Sequence, residues 1–167
     1  MSHDDLINLL DYHYWARDRM LDALDPLPAE QFTRDMNNSL KSVRDTAAHI
    51  FAAEMVWYSR WCGESPKGLV SADKFPDVAS LRSAWNHLER DVRAFVDKLG
   101  PEGIGRRFDY AMLNGRPASS VFSHMLQQVV NHGSYHRGQV TTMQRQIGAA
   151  PPKSMDLITF YRELETA

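Results

Sequence analysis

The chain has 167 residues, enough to bury a core without disulfide or metal staples. Its 43% hydrophobic and 24% charged content is that of a globular protein rather than a disordered one. Nineteen basic against 21 acidic side chains leave a formal charge of −2, and with no lysine-rich stripe this argues against a nucleic-acid partner.

Leu6, Leu10, His13, Met20, Leu21 and Leu24 recur at three- and four-residue steps, which predicts an amphipathic first helix from about Asp4 to Leu24. Asp25-Pro26-Leu27-Pro28 stops it, because proline cannot continue the backbone bonding, and a loop rich in Asn and Asp is expected next. A second helix starts near Ser39 or Ser42, either of which could cap it, and runs to about Trp61. It is apolar on nearly every side, so it must be buried on several faces. Its Trp57-Tyr58-Trp61 cluster suits a subunit contact, unless other parts of the chain cover it. The longest apolar stretch, Ala47 to Tyr58, is broken by His49 and Glu54 and is too short to span a bilayer.

Residues 62 to 77 read as a long connection, able to cross a bundle. Leu81, Trp85, Leu88, Val92, Phe95 and Leu99 then mark a third helix, opened by Asp77 and terminated by Gly100-Pro101. Between Arg107 and Pro117 the period becomes two, and Asn114-Gly115 signals a type I′ hairpin turn. The fourth helix is expected from about Ala118, at the Ser119-Ser120 pair, to Ile147. A short last helix, from Ser154 to about Glu165, offers Leu157, Tyr161 and Leu164 to the body. These elements form one all-α domain over 1–167, a four-helix bundle with a C-terminal appendage and a small hairpin between helices three and four. The acidic start, Met1-Ser2-His3-Asp4-Asp5, is unlike a signal peptide, and the single Cys62 can form no internal disulfide. Together these predict a cytoplasmic protein with no membrane partner.

Of seven histidines, two carry the strongest chemical signal. His132 and His136 fall on the apolar stripe of helix four, with Phe122, Met125, Val129, Val140, Met143 and Ile147. Four residues apart, they project the same way, about 6 Å apart along the axis, close enough for two ring nitrogens to share one ion. Two imidazoles in an apolar core would repel if protonated and need partners if neutral, and a metal answers both. A third ligand must come from another helix. His49, among small residues in helix two, and His13, on the core stripe of helix one, are both eligible by position. Glu54 interrupts the same apolar run and suits an outer hydrogen-bond acceptor, a proton carrier or one end of an ion pair. His124 lies off the stripe, and His3 and His87 suit solvent.

Three stretches and the hairpin turn carry a resemblance to one known family. Leu9-Leu10-Asp11-Tyr12-His13-Tyr14-Trp15-Ala16 is similar to that family's aromatic-Asn-x-Trp-Ala pattern, with His13 where the usual Asn stands. Ala47-Ala48-His49-Ile50-Phe51-Ala52-Ala53-Glu54 is similar to its His-Ile-x-x-Ala segment. Val130-Asn131-His132-Gly133-Ser134-Tyr135-His136-Arg137-Gly138-Gln139 is the most specific match, and Asn114-Gly115 before Arg116-Pro117 suits its hairpin. The family is that of the DinB-like (DinB/YfiT-like) metalloenzymes, and the resemblance implies an up-down-down-up bundle, usually a homodimer, with a metal on His49, His132 and His136; imidazole donors suit zinc, nickel or iron. The resemblance also implies enzymes that use low-molecular-weight thiols such as bacillithiol, mycothiol or glutathione. The leading expectation is therefore a metal-dependent S-transferase acting on small electrophiles, with Glu54, Tyr135 or His13 as candidate proton carriers. A metal-dependent hydrolase and a non-enzymatic metal-binding stress-response protein are the alternatives.

Overall fold

The computed structural model describes residues 1–166. Helix α1 (His3–Leu24) opens with a capping box in which Ser2 and Asp5 exchange side-chain and backbone hydrogen bonds, satisfying donors that a helix start leaves free. A short α2 (Ala29–Thr33) follows, where the sequence suggested only loop, and it seats Phe32 in the core. Of the two serines weighed for α3 (Val43–Trp61), Ser42 is the cap, its Oγ accepting from Asp45 N at 3.0 Å. The connection to α4 (Val78–Gly103) contains one 3₁₀ turn, Ala72–Lys74. Gly100 does not end α4 but kinks it: its φ of +64° interrupts the helix, and one more turn follows to Gly103. Such a φ carries no steric cost for glycine.

The hairpin is longer than expected. β1 (Arg107–Ala111) pairs antiparallel with β2 (Pro117–Val121), Tyr110 opposite Ala118 and Phe108 opposite Ser120. Ser119 and Ser120 are therefore strand residues, not helix caps, and α5 begins at Phe122 and runs to Gln146. Tyr110 and Ser120 hydroxyls meet at 3.1 Å, a cross-strand use of the serine that competes with capping. The turn is not type I′, which needs positive φ at both central residues. Asn114 does not have it, while Gly115 does at +81°. Met112 N donates to Arg116 O, and Gly115 N donates to Met112 O, the three-residue loop that places glycine in the left-handed position.

The contacts give the helix directions. Asp11 pairs with Arg93, Arg17 with Glu89, and Asp22 with Arg82, so α1 and α4 are antiparallel. Phe51 meets Trp85 and Trp61 meets Phe95, so α3 and α4 run parallel. Thr46 reaches Met143 while Trp61 meets Phe122, so α3 and α5 are antiparallel. The bundle is up-down-down-up, and the long 62–77 connection is what lets α3 and α4 run the same way. Its main core cluster includes Leu6, Met20, Ile50, Trp85, Phe122 and Met125, and a smaller one gathers Tyr12, Ala16, Val130 and Phe160.

The aromatic surplus of α3 is used within the chain. Trp57 packs edge-on against Tyr110 of the hairpin, and Tyr58 and Trp61 pack on Phe95. The last helix, α6 (Leu157–Leu164), covers α1 instead. Its buried residue is Phe160, set between Tyr12 and Trp15, while Leu157 and Leu164 stay exposed. A helix of two turns has one narrow face to bury, and two neighbouring aromatic rings draw the phenyl group to it. No helix among the described residues is long and apolar enough to cross a membrane.

Candidate metal centre

Helix α5 brings His132 and His136 to one face, as their spacing requires, and α3 crosses that face with His49. The three rings meet: centroids lie 5.0 Å (His49–His132), 4.6 Å (His49–His136) and 4.4 Å (His132–His136) apart. One ring nitrogen from each lies within 4.8 Å of the others, and the Nε2 atoms of His49 and His132 are 3.2 Å apart. Two nitrogens bound to one tetrahedral ion at zinc–imidazole distances stand about 3.3 Å apart, so the donor set fits a transition metal. All three side chains are half-buried.

Burial and the neighbouring rings favour the neutral form of His132 and His49. Burial first, then His136, His49 and His13 nearby, pushes His132 down to about 4. Burial, then His136, lowers His49. A neutral imidazole has one free lone pair, and the proton on the other nitrogen decides which. For His136 the choice is visible, since Nδ1 lies 2.7 Å from Gln139 Oε1. An amide oxygen accepts, so Nδ1 carries the proton and Nε2 keeps the lone pair. Gln139 is thus placed where it would orient His136 as a metal ligand.

His13 lies elsewhere. It is fully buried, with Nε2 2.9 Å from Glu54 Oε2 and Nδ1 3.4 Å from Arg137 Nη1. Glu54 in turn accepts from Tyr14 at 2.8 Å and from Trp85 Nε1 at 2.7 Å. One carboxylate on α3 is therefore bonded from α1 (His13, Tyr14) and α4 (Trp85), and through His13 it reaches Arg137 of α5. Desolvation would raise Glu54, but these donors more than offset it and its pKa is lowered. Burial is the largest influence on His13 and lowers it, against the pull of Glu54. A neutral His13 with its proton on Nε2 satisfies both neighbours, donating to Glu54 and accepting from Arg137. Tyr135, the remaining candidate, is 66% exposed and stands edge-on to His136 at 5.0 Å.

Sequence reasoning assigned no part to Arg137, Gln139, Tyr14 or Trp85. Two glycines inside α5 were the available signal, because helix-interior glycine weakens a helix and asks for a reason. Gly133 has one: a Cβ there would lie 2.8 Å from both His13 Cε1 and Arg137 Nη1. Its bareness lets α5 close onto His13, between the two turns that carry His132 and His136.

A helical bundle with three histidines gathered from two antiparallel helices defines the class of fold and site. Residues 1–164 match the DinB family, and the chain belongs to it. It is 23% identical over 172 residues to Protein DinB of Bacillus subtilis (strain 168), covering 98% of this chain and 99% of that one. Its fold is similar to the crystal structure of a DinB-like protein from Bacillus cereus ATCC 10987, with a TM-score of 0.60 and 23% identity over 87% of this chain and 95% of that one.

Proposed function

We propose that His49, His132 and His136 hold one divalent transition metal ion (zinc, nickel or iron) and that the chain is a metal-dependent enzyme. The reaction we assign is thiol-dependent S-transfer to a small electrophile. The observation that carries the reading is the donor count: three ring nitrogens converge, and no fourth His, Cys, Asp or Glu among the described residues joins them. Catalytic sites characteristically keep a position open, whereas structural ones close with four protein ligands. When bound, such an ion supplies Lewis acidity, which lowers the pKa of a thiol or water that reaches it.

The chain's residues supply the rest. His49 and His132, held toward the neutral form, offer lone pairs without first losing a proton, and Gln139 holds His136 in the ligating tautomer. Tyr135, exposed beside His136, is the group positioned to hydrogen-bond an incoming electrophile. His13 and Glu54 are assigned no proton transfer, since both are buried and saturated by fixed partners. That commitment also weakens a purely structural metal role, which would need His13 as a fourth ligand. A homodimer is carried over from the family resemblance, and light scattering checks it.

Elemental analysis of wild type and His136→Ala, both made without a nickel column, tests the site; equal metal content would remove it. Metal-loaded protein offered bacillithiol, mycothiol or glutathione with a reactive halide tests the reaction. Turnover above the metal-free control is expected. Ester or amide hydrolysis without thiol would move the assignment to a hydrolase.

A further inference from the structure

Next to the histidines, α5 carries a second row of residues that opens onto a cleft of about 290 Å³. Tyr135, Gln139, Thr142 and Gln146 form one wall, and Asn38 and Ser39 from the loop before α3 face them. All six are amides or hydroxyls, and no lining residue carries a charge. A carboxylate or phosphate entering here would shed water without meeting a charged side chain, whereas a neutral amide or hydroxyl finds donors and acceptors of its own kind.

Two observations tie the cleft to the site. Gln139 spends its oxygen on His136, while its NH₂ makes no hydrogen bond among the described residues and belongs to the cleft wall. Gly138 lies on the same wall, inside a helix, where glycine is unfavourable. A Cβ there would meet nothing within 4 Å, and its φ is not positive. Neither packing nor backbone geometry asks for glycine at 138, in contrast to 133. What a side chain at 138 would occupy is the cleft.

We propose that this cleft is the ligand pocket of the histidine site, and that it takes a small uncharged molecule bearing amide or hydroxyl groups, one of which accepts from Gln139 Nε2. Its part in a reaction rests on the metal-dependent reading above; its preference for a neutral ligand does not. For a thiol substrate, this favours uncharged N-acyl or polyhydroxylated thiols over those bearing carboxylates.

N-Acetylserinamide and N-acetylserine differ by one charge, and neither carries a thiol. Titrated into the isotopically labelled full-length chain, the amide is expected to shift the Gln139, Thr142 and Gln146 resonances and to bind at least fivefold more tightly than the acid. Gly138→Leu should weaken the amide at least tenfold with no fall in melting temperature. Gln146→Lys, at the exposed rim, should turn the preference toward the acid. Equal binding of both probes by wild type, or undiminished binding of the amide by Gly138→Leu, overturns the proposal. Zinc content measured on the same sample reads the other question separately. A chain that holds no zinc yet selects the amide keeps the pocket and loses the metal assignment; one that holds zinc and binds neither probe loses the pocket alone.

Discussion

His13 donates through Nε2 to Glu54 Oε2 at 2.9 Å, and this bond both withdraws His13 from the three-histidine cluster and ties helix α1 to α3. Glu54 also accepts from Tyr14 and Trp85, so the carboxylate is a junction of three helices five residues beyond His49. Truncating Glu54 leaves the buried donors of His13, Tyr14 and Trp85 without an acceptor, at about 1–3 kcal/mol for each donor left unsatisfied. Glu54→Ala is therefore expected to lower the melting temperature by roughly 10 °C, at about 2–4 °C per kcal/mol for a chain of this size. A thermal melt followed by circular dichroism checks it, and a change under 3 °C would show that the junction contributes little.

The same pair predicts an acid-sensitive fold. Both folded-state pKa values are lowered, so in each case the unfolded chain binds more protons over the affected range. Stability then rises with pH. Read downward, stability falls as pH drops below the ordinary histidine value of about 6.5, first through His13. Glu54 adds to the loss below the ordinary carboxylate range. His49 and His132, also lowered, act in the same direction, so His13 must be isolated by difference. Melting of the metal-free protein at pH 7.5 and 5.5 should show a fall that is smaller in His13→Gln than in wild type. Equal falls would mean that His13 is not held neutral.

Much of this was legible in the residues, and the parts that were not share a cause. The i,i+4 pair at 132 and 136 is a local pattern, fixed by helix geometry, and α5 presents it as expected. His49 and His13 were equivalent by position, because each sits on the apolar face of its own helix. Their difference arises from which partner each face meets, Glu54 for one and α5 for the other. Ser119-Ser120 suits a helix cap and a strand equally, and the pairing of β2 with β1 twelve residues away decides it. Arg137 on a helix reads as a surface cation, yet it is 2% exposed, lying over the Tyr12 ring and bonded to Ser134 at 2.9 Å.

The two glycines of α5 should respond oppositely to alanine. At Gly138 the added Cβ meets nothing, so Gly138→Ala gains helix propensity of up to about 1 kcal/mol. At Gly133 it would press on the His13 ring, which Glu54 holds in place, as well as on Arg137. Overpacking of this kind costs about 1–3 kcal/mol, enough to cancel or exceed the same propensity gain. Chemical denaturation should show Gly138→Ala more stable than wild type and Gly133→Ala no more stable. A gain of equal size in both would deny the close approach of α5 to His13.

Gln139 should matter for metal and little for folding. Its carbonyl is the acceptor that keeps the proton on His136 Nδ1 and the lone pair on Nε2. Leucine is similar in length and helix propensity but accepts nothing. In Gln139→Leu the Nδ1–H loses its partner, and the imidazole is freer to rotate and to change tautomer. Loss of an outer hydrogen bond to a ligating histidine typically lowers metal affinity about 10–100-fold. Competition against a chelator of known zinc affinity should show a drop in that range, with the melting temperature of the metal-free protein within about 2 °C of wild type. Gln139→Glu, which accepts the same bond more strongly, should hold zinc at least as tightly as wild type. Weakening by both substitutions would indicate that the amide serves the cleft alone and that something else orients His136.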